Sequence, residues 1–186
     1  MSEFAIPIIG NILESIAAEF KDKIKPVPGS VLRCDLCGGA NFLGVRLCHT
    51  GIYLGSDEIA EITNVRGKAC AHIVDPSDFI NGQGTNFIRT GLNIYVATDG
   101  CGKALGSERI AGIARRLAER GRRGEYDLMD NNCHTFVVRC VTGKEPSKPK
   151  LNDREVAVAL RRAFGCERVT WEPTGFGPQS LSFDDV

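Results

Sequence analysis

A chain of 186 residues, 42% hydrophobic and 25% charged, has the composition of one folded domain with a substantial core, not of a disordered segment. Its 23 basic and 23 acidic side chains balance to zero net charge, so a general nucleic-acid binder is not expected. No apolar run reaches the length of a membrane span, and the opening Met-Ser-Glu-Phe has no basic region, so the expected location is cytoplasmic, with the eight cysteines as reduced thiols.

Residues 6–24 place Ile6, Ile9, Leu13, Ile16, Phe20 and Ile24 on one helical face, with Glu14, Lys21, Asp22 and Lys23 off it. This amphipathic segment, taken with its flank as residues 1–27, is expected to dock on the domain. Lying on a membrane surface is the alternative. Pro26 and Pro28-Gly29 end it. Ser30–Cys34 reads as a first strand, followed by the turn-like Asp35-Leu-Cys-Gly-Gly39. Cys34-x-x-Cys37 has half the spacing of a zinc site, but no second pair follows. The two are assigned to packing, and neither a metal nor a cofactor is expected.

Val45–Leu54 is apolar on both alternating faces, which predicts an interior strand, and Gly55-Ser56-Asp57 turns it back into a second strand, Glu58–Asn64. His49 lies in the first of these. A hairpin folded about Gly55 brings Glu61 directly opposite His49 on one face, and a two-residue slip leaves it diagonal and still within reach. A carboxylate there fixes the imidazole's tautomer and raises its basicity; the other reading is a solvated edge glutamate.

Cys70–Val74 predicts another short strand, Asp75-Pro-Ser-Asp-Phe79 a capped turn of helix, and Asn81–Gly91 a loop. Leu92–Thr98 alternates as a strand until Asp99-Gly-Cys-Gly102 breaks it. Ser107–Arg120 is a helix: Ser107 caps it, Ile110, Ile113, Ala114 and Leu117 face inward, and Gly121 stops it. Arg115, Arg116, Arg120, Arg122 and Arg123 gather at its C-terminal half. They complement the helix dipole as a solvated face, and an anionic membrane surface or acidic partner is the alternative use.

From Cys133 onward the apolar positions Cys133, Phe136, Val137, Cys140 and Val141 fall on one helical stripe. Asp130, Asn131 and Asn132 offer caps before it, and Gly143 closes it. Cys133 therefore sits on a first helical turn, where unpaired N–H groups and the dipole lower a thiol's pKa. Asn152-x-x-Glu155 opens a last helix with Val156, Ala159, Leu160 and Ala163 inside, and the tail from Glu172 is expected to be flexible.

A cysteine nucleophile needs a base, a group to orient that base, and donors for the tetrahedral oxyanion. The chain offers Cys133 as nucleophile, His49 as base and Glu61 as orienter. The donors are amides at the start of the Cys133 helix, with Asn132 and Tyr126 in support. His72 and His134 are rivals for the base. His134 adjoins Cys133 but points about a quarter-turn away round the helix, and His72 lacks a local partner.

The motifs His49-Thr-Gly-Ile-Tyr-Leu-Gly55, Glu61, Tyr126-Asp-Leu-x-x-Asn-Asn-Cys133-x-x-Phe136 and Thr142-Gly143 resemble the lecithin:retinol acyltransferase-like family. The resemblance runs from about residue 28 to 144. It implies an α+β, circularly permuted papain-like fold, in which an antiparallel sheet packs against the helix carrying the nucleophile. On that reading residues 28–144 are the catalytic domain and 145–186 a C-terminal helix and tail. His49 matches the family's catalytic histidine and Cys133 its nucleophile. Glu61 stands where the acyltransferases typically carry a second histidine, and Asn132-Cys-His-Thr-Phe136 where members often read Asn-Cys-Glu-His-Phe. The implied activity is a thiol-dependent acyl transfer or hydrolysis, with an acyl-bearing lipid or other ester as donor. An amidase or peptidase, as in the related PPPDE-type isopeptidases and NlpC-type cell-wall peptidases, is the first alternative, and an inactive binding module the second.

Overall fold

The computed structural model describes residues 21–36, 41–42, 45–46, 48–82, 93–125, 132–147 and 152–176. Its strands are β1 (Val31–Asp35), β2 (Asn41–Phe42), β3 (Val45–Arg46), β4 (Cys48–Gly55), β5 (Glu58–Val65), β6 (Lys68–Val74), β7 (Tyr95–Thr98), β8 (Arg122–Glu125) and β9 (Thr170–Pro173). Four helices, α1 (Pro76–Asn81), α2 (Glu108–Glu119), α3 (Cys133–Thr142) and α4 (Asp153–Phe164), complete the described elements. Seven strands make one sheet in the order β8-β6-β5-β4-β1-β7-β9, every pairing antiparallel, while β2 and β3 pair separately. The interior strand expected to begin at Val45 begins at Cys48, because Val45 pairs with Phe42 in the small ladder.

Two tight turns give the centre of the sheet its register. Ser56 and Asp57 both have positive φ, 49° and 58°, the backbone of a two-residue hairpin turn whose twist suits the strands it joins. Arg66 and Gly67, at 52° and 79°, repeat it between β5 and β6, where Asn64 Oδ1 accepts from the Gly67 N–H at 2.8 Å. The β5–β6 ladder is unbroken from Ile59↔Val74 to Val65↔Lys68. The β4–β5 ladder is not: after Gly55↔Glu58 it shifts at a bulge, and its last pair is Ile52↔Ala60.

One sheet face carries Val31, Ile52, Ala60, Ile62, Ala69 and Ala71 against α2, α3 and α4. The other carries Leu32, Cys34, Tyr53, Ile59 and Val96 against Phe79 and Ile80 of α1. The stripe predicted for the Cys133 helix is wider than expected. Cys133 to Val138 are all buried, as are Cys140 and Val141, because α3 runs between the sheet and α4 and has solvent along only a narrow edge. Helix caps follow the predicted residues: Ser107 for α2, Asn132 for α3 and Asn152 for α4, each accepting backbone N–H groups of the first turn.

Two further expectations are corrected. The tail expected from Glu172 continues as strand to Pro173, since β9 hydrogen-bonds along β7 from Tyr95↔Pro173 to Thr98↔Thr170. Arg122 and Arg123, grouped with the arginines of α2, fall in strand β8 beyond the Gly121 break. Of that group Arg115 is ion-paired with Glu58, whereas Arg116 and Arg120 are exposed. No helix among the described residues is long and apolar enough to cross a membrane. The expected helix of residues 6–24 lies outside the described residues except for its last four positions, and the loop expected at 81–91 lies outside them beyond Gly82.

Candidate active site

His49 and Glu61 meet on the α1 side of the sheet, with His49 Nε2 2.7 Å from Glu61 Oε2. The register makes them diagonal partners, not opposite ones: extending Ile52↔Ala60 sets Glu61 across from Gly51. This is the slipped arrangement of the two that the hairpin allowed: the turn is centred on Ser56-Asp57 and not on Gly55, and the bulge beside Gly55 then shifts the register by one to Ile52↔Ala60. Both groups are buried, Glu61 to 2% exposure, so the solvated-edge reading of the glutamate does not hold. A carboxylate only accepts, so the short contact places the proton of His49 on Nε2. Its Nδ1 is left for the other side of the ring.

That other side meets Cys133. The thiol is hydrogen-bonded to the His49 side chain and to the backbone of Thr50. The Thr50 amide is available because of the ladder break. Tyr53 exchanges backbone bonds with Gly29 and Ser30 on the β1 side, so in β4 the even-numbered residues turn their N–H groups toward β5. Beyond Ile52 there is no β5 partner to receive them, and the Thr50 N–H points to the sulfur instead. Burial by itself would push the Cys133 thiol up. The positive fields of His134 and His49, the His49 hydrogen bond and the Thr50 amide together outweigh it and bring the thiol down to about 5.

Cys48, buried in the same strand, goes the other way. Burial dominates there and holds its thiol well above the ordinary range, and the opposing Arg33 charge does not offset it. Two buried cysteines close enough to feel each other's charge are therefore in opposite states near neutral pH. A brief iodoacetamide pulse at pH 6 is expected to alkylate Cys133 in preference to Cys48 and Cys140, with mapping of the labelled peptides as the check. Cys133 is only 5% exposed, so a small reagent is needed. Equal labelling of Cys48 would show that the thiolate is not confined to Cys133.

The residues around this pair set its geometry. Asn132 Oδ1 accepts from Thr135 N at 2.9 Å and its carbonyl from Phe136 N at 3.0 Å, which assigns Asn132 to capping α3. Those two bonds leave the Cys133 and His134 amides at the open end of the helix. His134 Nδ1 lies 3.2 Å from Thr50 Oγ1, so its ring is held on the sheet at Thr50, near enough for its charge to act on the thiol. Tyr126 lies outside the described residues. Phe79 packs against the His49 ring, centroids 5.2 Å apart. Phe79 in turn needs Gly51: a Cβ there would come within 2.8 Å of its ring and 3.0 Å of the Ala60 carbonyl oxygen. Gly51→Ala is expected to cost about 1–3 kcal/mol and lower the melting temperature by roughly 3–10 °C. A melt within about a degree of the parent would mean that the ring gives way freely.

Two features were missed or misjudged from sequence. His72, expected to lack a local partner, is directly across β5–β6 from Glu61, its Nε2 2.9 Å from Oε1. The pairing follows from the Arg66-Gly67 turn, the one local signal that could have found it. Arg33 is buried on the helix side of β1, 2.6 Å from Asp153 at the start of α4 and stacked on Trp171 and Tyr95. It ties the N-terminus of α4 to the sheet beside Cys48 and Thr50, and no local pattern in the sequence points to it. Of the Cys34-x-x-Cys37 pair, Cys34 is buried with its Sγ 3.5 Å from the Phe79 carbonyl oxygen, and Cys37 lies outside the described residues.

Comparison with protein families matches the chain to the model described as Lecithin retinol acyltransferase over residues 42–146. Comparisons with the curated proteins and with the solved structures gave no significant match. The matched span runs from just before β3 to just past α3 and holds His49, Glu61, His72 and Cys133. The fold is the α+β, circularly permuted papain-like one, with the histidine strand ahead of the cysteine helix in the chain. A match over more than half of its residues, on this fold, makes the chain a member of the lecithin retinol acyltransferase family of thiol enzymes.

Proposed function

We propose that the protein transfers or hydrolyses acyl groups through a thioester on Cys133, with an acyl-bearing lipid or other ester as donor. The observation that carries this is the continuous contact Cys133–His49–Glu61 at a helix N-terminus, with the thiol held near 5. The Cys133 thiolate attacks the donor's carbonyl carbon. A C–S bond forms, and the carbonyl pair moves to oxygen, where the open amides of Cys133 and His134 are suited to receive it. As the C–O bond breaks, the His49 imidazolium gives its proton to the departing alkoxide, leaving acyl-thioester and neutral imidazole. An acceptor hydroxyl, amine or water then adds to the thioester as it gives a proton to His49. The thiolate departs and the Cys133–His49 ion pair is restored. Glu61 holds the ring and stabilises its cation throughout.

A second reading, amide hydrolysis by the same machinery, draws on Glu61 itself. A carboxylate partner makes His49 a stronger base and suits it to protonating an amine leaving group. Intact-mass spectrometry after incubation with separate lipid-ester and peptide-amide donors decides between them. Acyl mass on Cys133 from the ester donor alone is the expected result. Acylation or cleavage with the peptide donor alone would replace this reading with the second, and an unmodified chain with both would leave a binding module.

A further inference from the structure

We propose that His72 is a positioning residue of this site: it holds one oxygen of the Glu61 carboxylate so that the other is presented to His49. The working assembly is then a chain of four, Cys133–His49–Glu61–His72. The inference rests on the roles given to Cys133 and His49 above.

Glu61 is 2% exposed, and its two oxygens can only accept hydrogen bonds while it stays ionised. Left with an oxygen unserved in such a place, it would move or take up a proton. Each of the two oxygens meets a histidine: Oε2 lies 2.7 Å from His49 Nε2 and Oε1 2.9 Å from His72 Nε2. Both imidazoles therefore carry their proton at Nε2. For His49 this leaves Nδ1 toward the thiol.

The sheet explains why the support comes from His72. On the catalytic side, β4 and β5 have parted beyond Ile52↔Ala60, so no ladder fixes the separation of His49 and Glu61. On the other side β5 and β6 pair without a break, and Glu61 and His72 are opposite residues of that ladder. The carboxylate is thus anchored from the rigid side and aimed at the open one. His72 is not a substitute base, because Glu61 lies between it and His49. Its side chain is also the most exposed of the three, at 34% against 6% for His49 and 2% for Glu61.

The test compares His72→Val, which removes the donor but suits a half-exposed strand position, with His72→Gln, whose amide can still donate to Oε1. The readout that needs no substrate is the pH dependence of Cys133 alkylation by iodoacetamide, followed by intact mass on the full chain alongside a thermal melt. His72→Val is expected to move the thiol's titration up by about one pH unit, because a less firmly ionised Glu61 stabilises the imidazolium less. Turnover of whichever donor acylates Cys133 should fall roughly ten-fold, and His72→Gln should restore most of both. A His72→Val protein whose Cys133 titrates as in the parent, whatever its melting temperature, would overturn the proposal, as would a folded His72→Gln protein no better than valine. If the parent's Cys133 is itself unreactive below pH 7, the Cys133–His49 reading fails first and this one with it. A parent that reacts at low pH beside an unchanged His72→Val protein sinks only the role of His72.

Discussion

Cys133→Ala is expected to leave a folded protein that forms no covalent intermediate and whose turnover drops by roughly four to six orders of magnitude. The substitution removes one sulfur from a site whose backbone is held by other means: the Asn132 cap, the Phe136 and Val137 contacts of α3, and the Gly143 end. The melting temperature should therefore change by only a few degrees. His49 and Glu61 keep their 2.7 Å contact, but no thiolate remains to attack. Cys133→Ser tests the same point with the shape preserved. A hydroxyl's pKa lies too far above neutrality for the charges that bring the thiol to about 5 to ionise it, so this variant should be nearly as inactive. The check is intact mass after incubation with the ester donor that acylates the parent. A Cys133→Ala chain that still gains acyl mass would move the nucleophile to another cysteine, and Cys48, buried and held protonated, is not prepared to serve.

Glu61→Gln is expected to lower turnover by roughly ten- to a hundred-fold and to shift the thiol's titration upward from about 5. The side chain keeps its size, but an amide has one acceptor atom where the carboxylate has two, and two histidine N–H groups now face it. Whichever histidine meets the amide nitrogen must turn its own proton away. If that is His49, its Nδ1 becomes protonated and can no longer take the thiol's proton. If it is His72, the Cys133–His49 pair keeps its tautomer but loses the charge that favoured imidazolium. In both cases the thiolate–imidazolium state becomes less populated. The sign for activity follows directly: a form needed for attack now appears only at higher pH, so the acidic limb of the rate profile moves up. Rate against pH and alkylation against pH should move together. Unchanged profiles in both would make Glu61 a structural acceptor for two histidines and remove it from the catalytic chain.

The parts of the site that could be read from sequence are those whose signals are local. Asn132 before an apolar stripe marks a helix start, and a helix start is a place where a thiol ionises, so Cys133 was legible from about ten residues. His49 and Glu61 were legible because a two-residue turn relates their positions by counting, even though the turn sits at Ser56-Asp57 and not at Gly55, which leaves them diagonal and not opposite. The resemblance to the family rested on the same short motifs, and the family match covers them.

What remained hidden depended on where strands meet or part. His72 reaches Glu61 only because β6 folds back on β5, and read alone it is a histidine in a short strand without a partner. The Thr50 amide reaches Cys133 only because the β4–β5 ladder ends early, and an absent pairing has no sequence pattern. Arg33, Asp153 and Trp171 come together from three distant parts of the chain, across 120 positions for the ion pair alone. By itself, then, the sequence determined the chemistry available, which thiol could ionise, which imidazole could serve it and which carboxylate stood near, because caps, turns and periodicity act within a few residues. Only the tertiary structure decided which oxygen each histidine receives, which amide faces the sulfur and that α3 is buried nearly all round. Those depend on the separation of strands and helices remote in the chain, and packing sets that separation, not local preference.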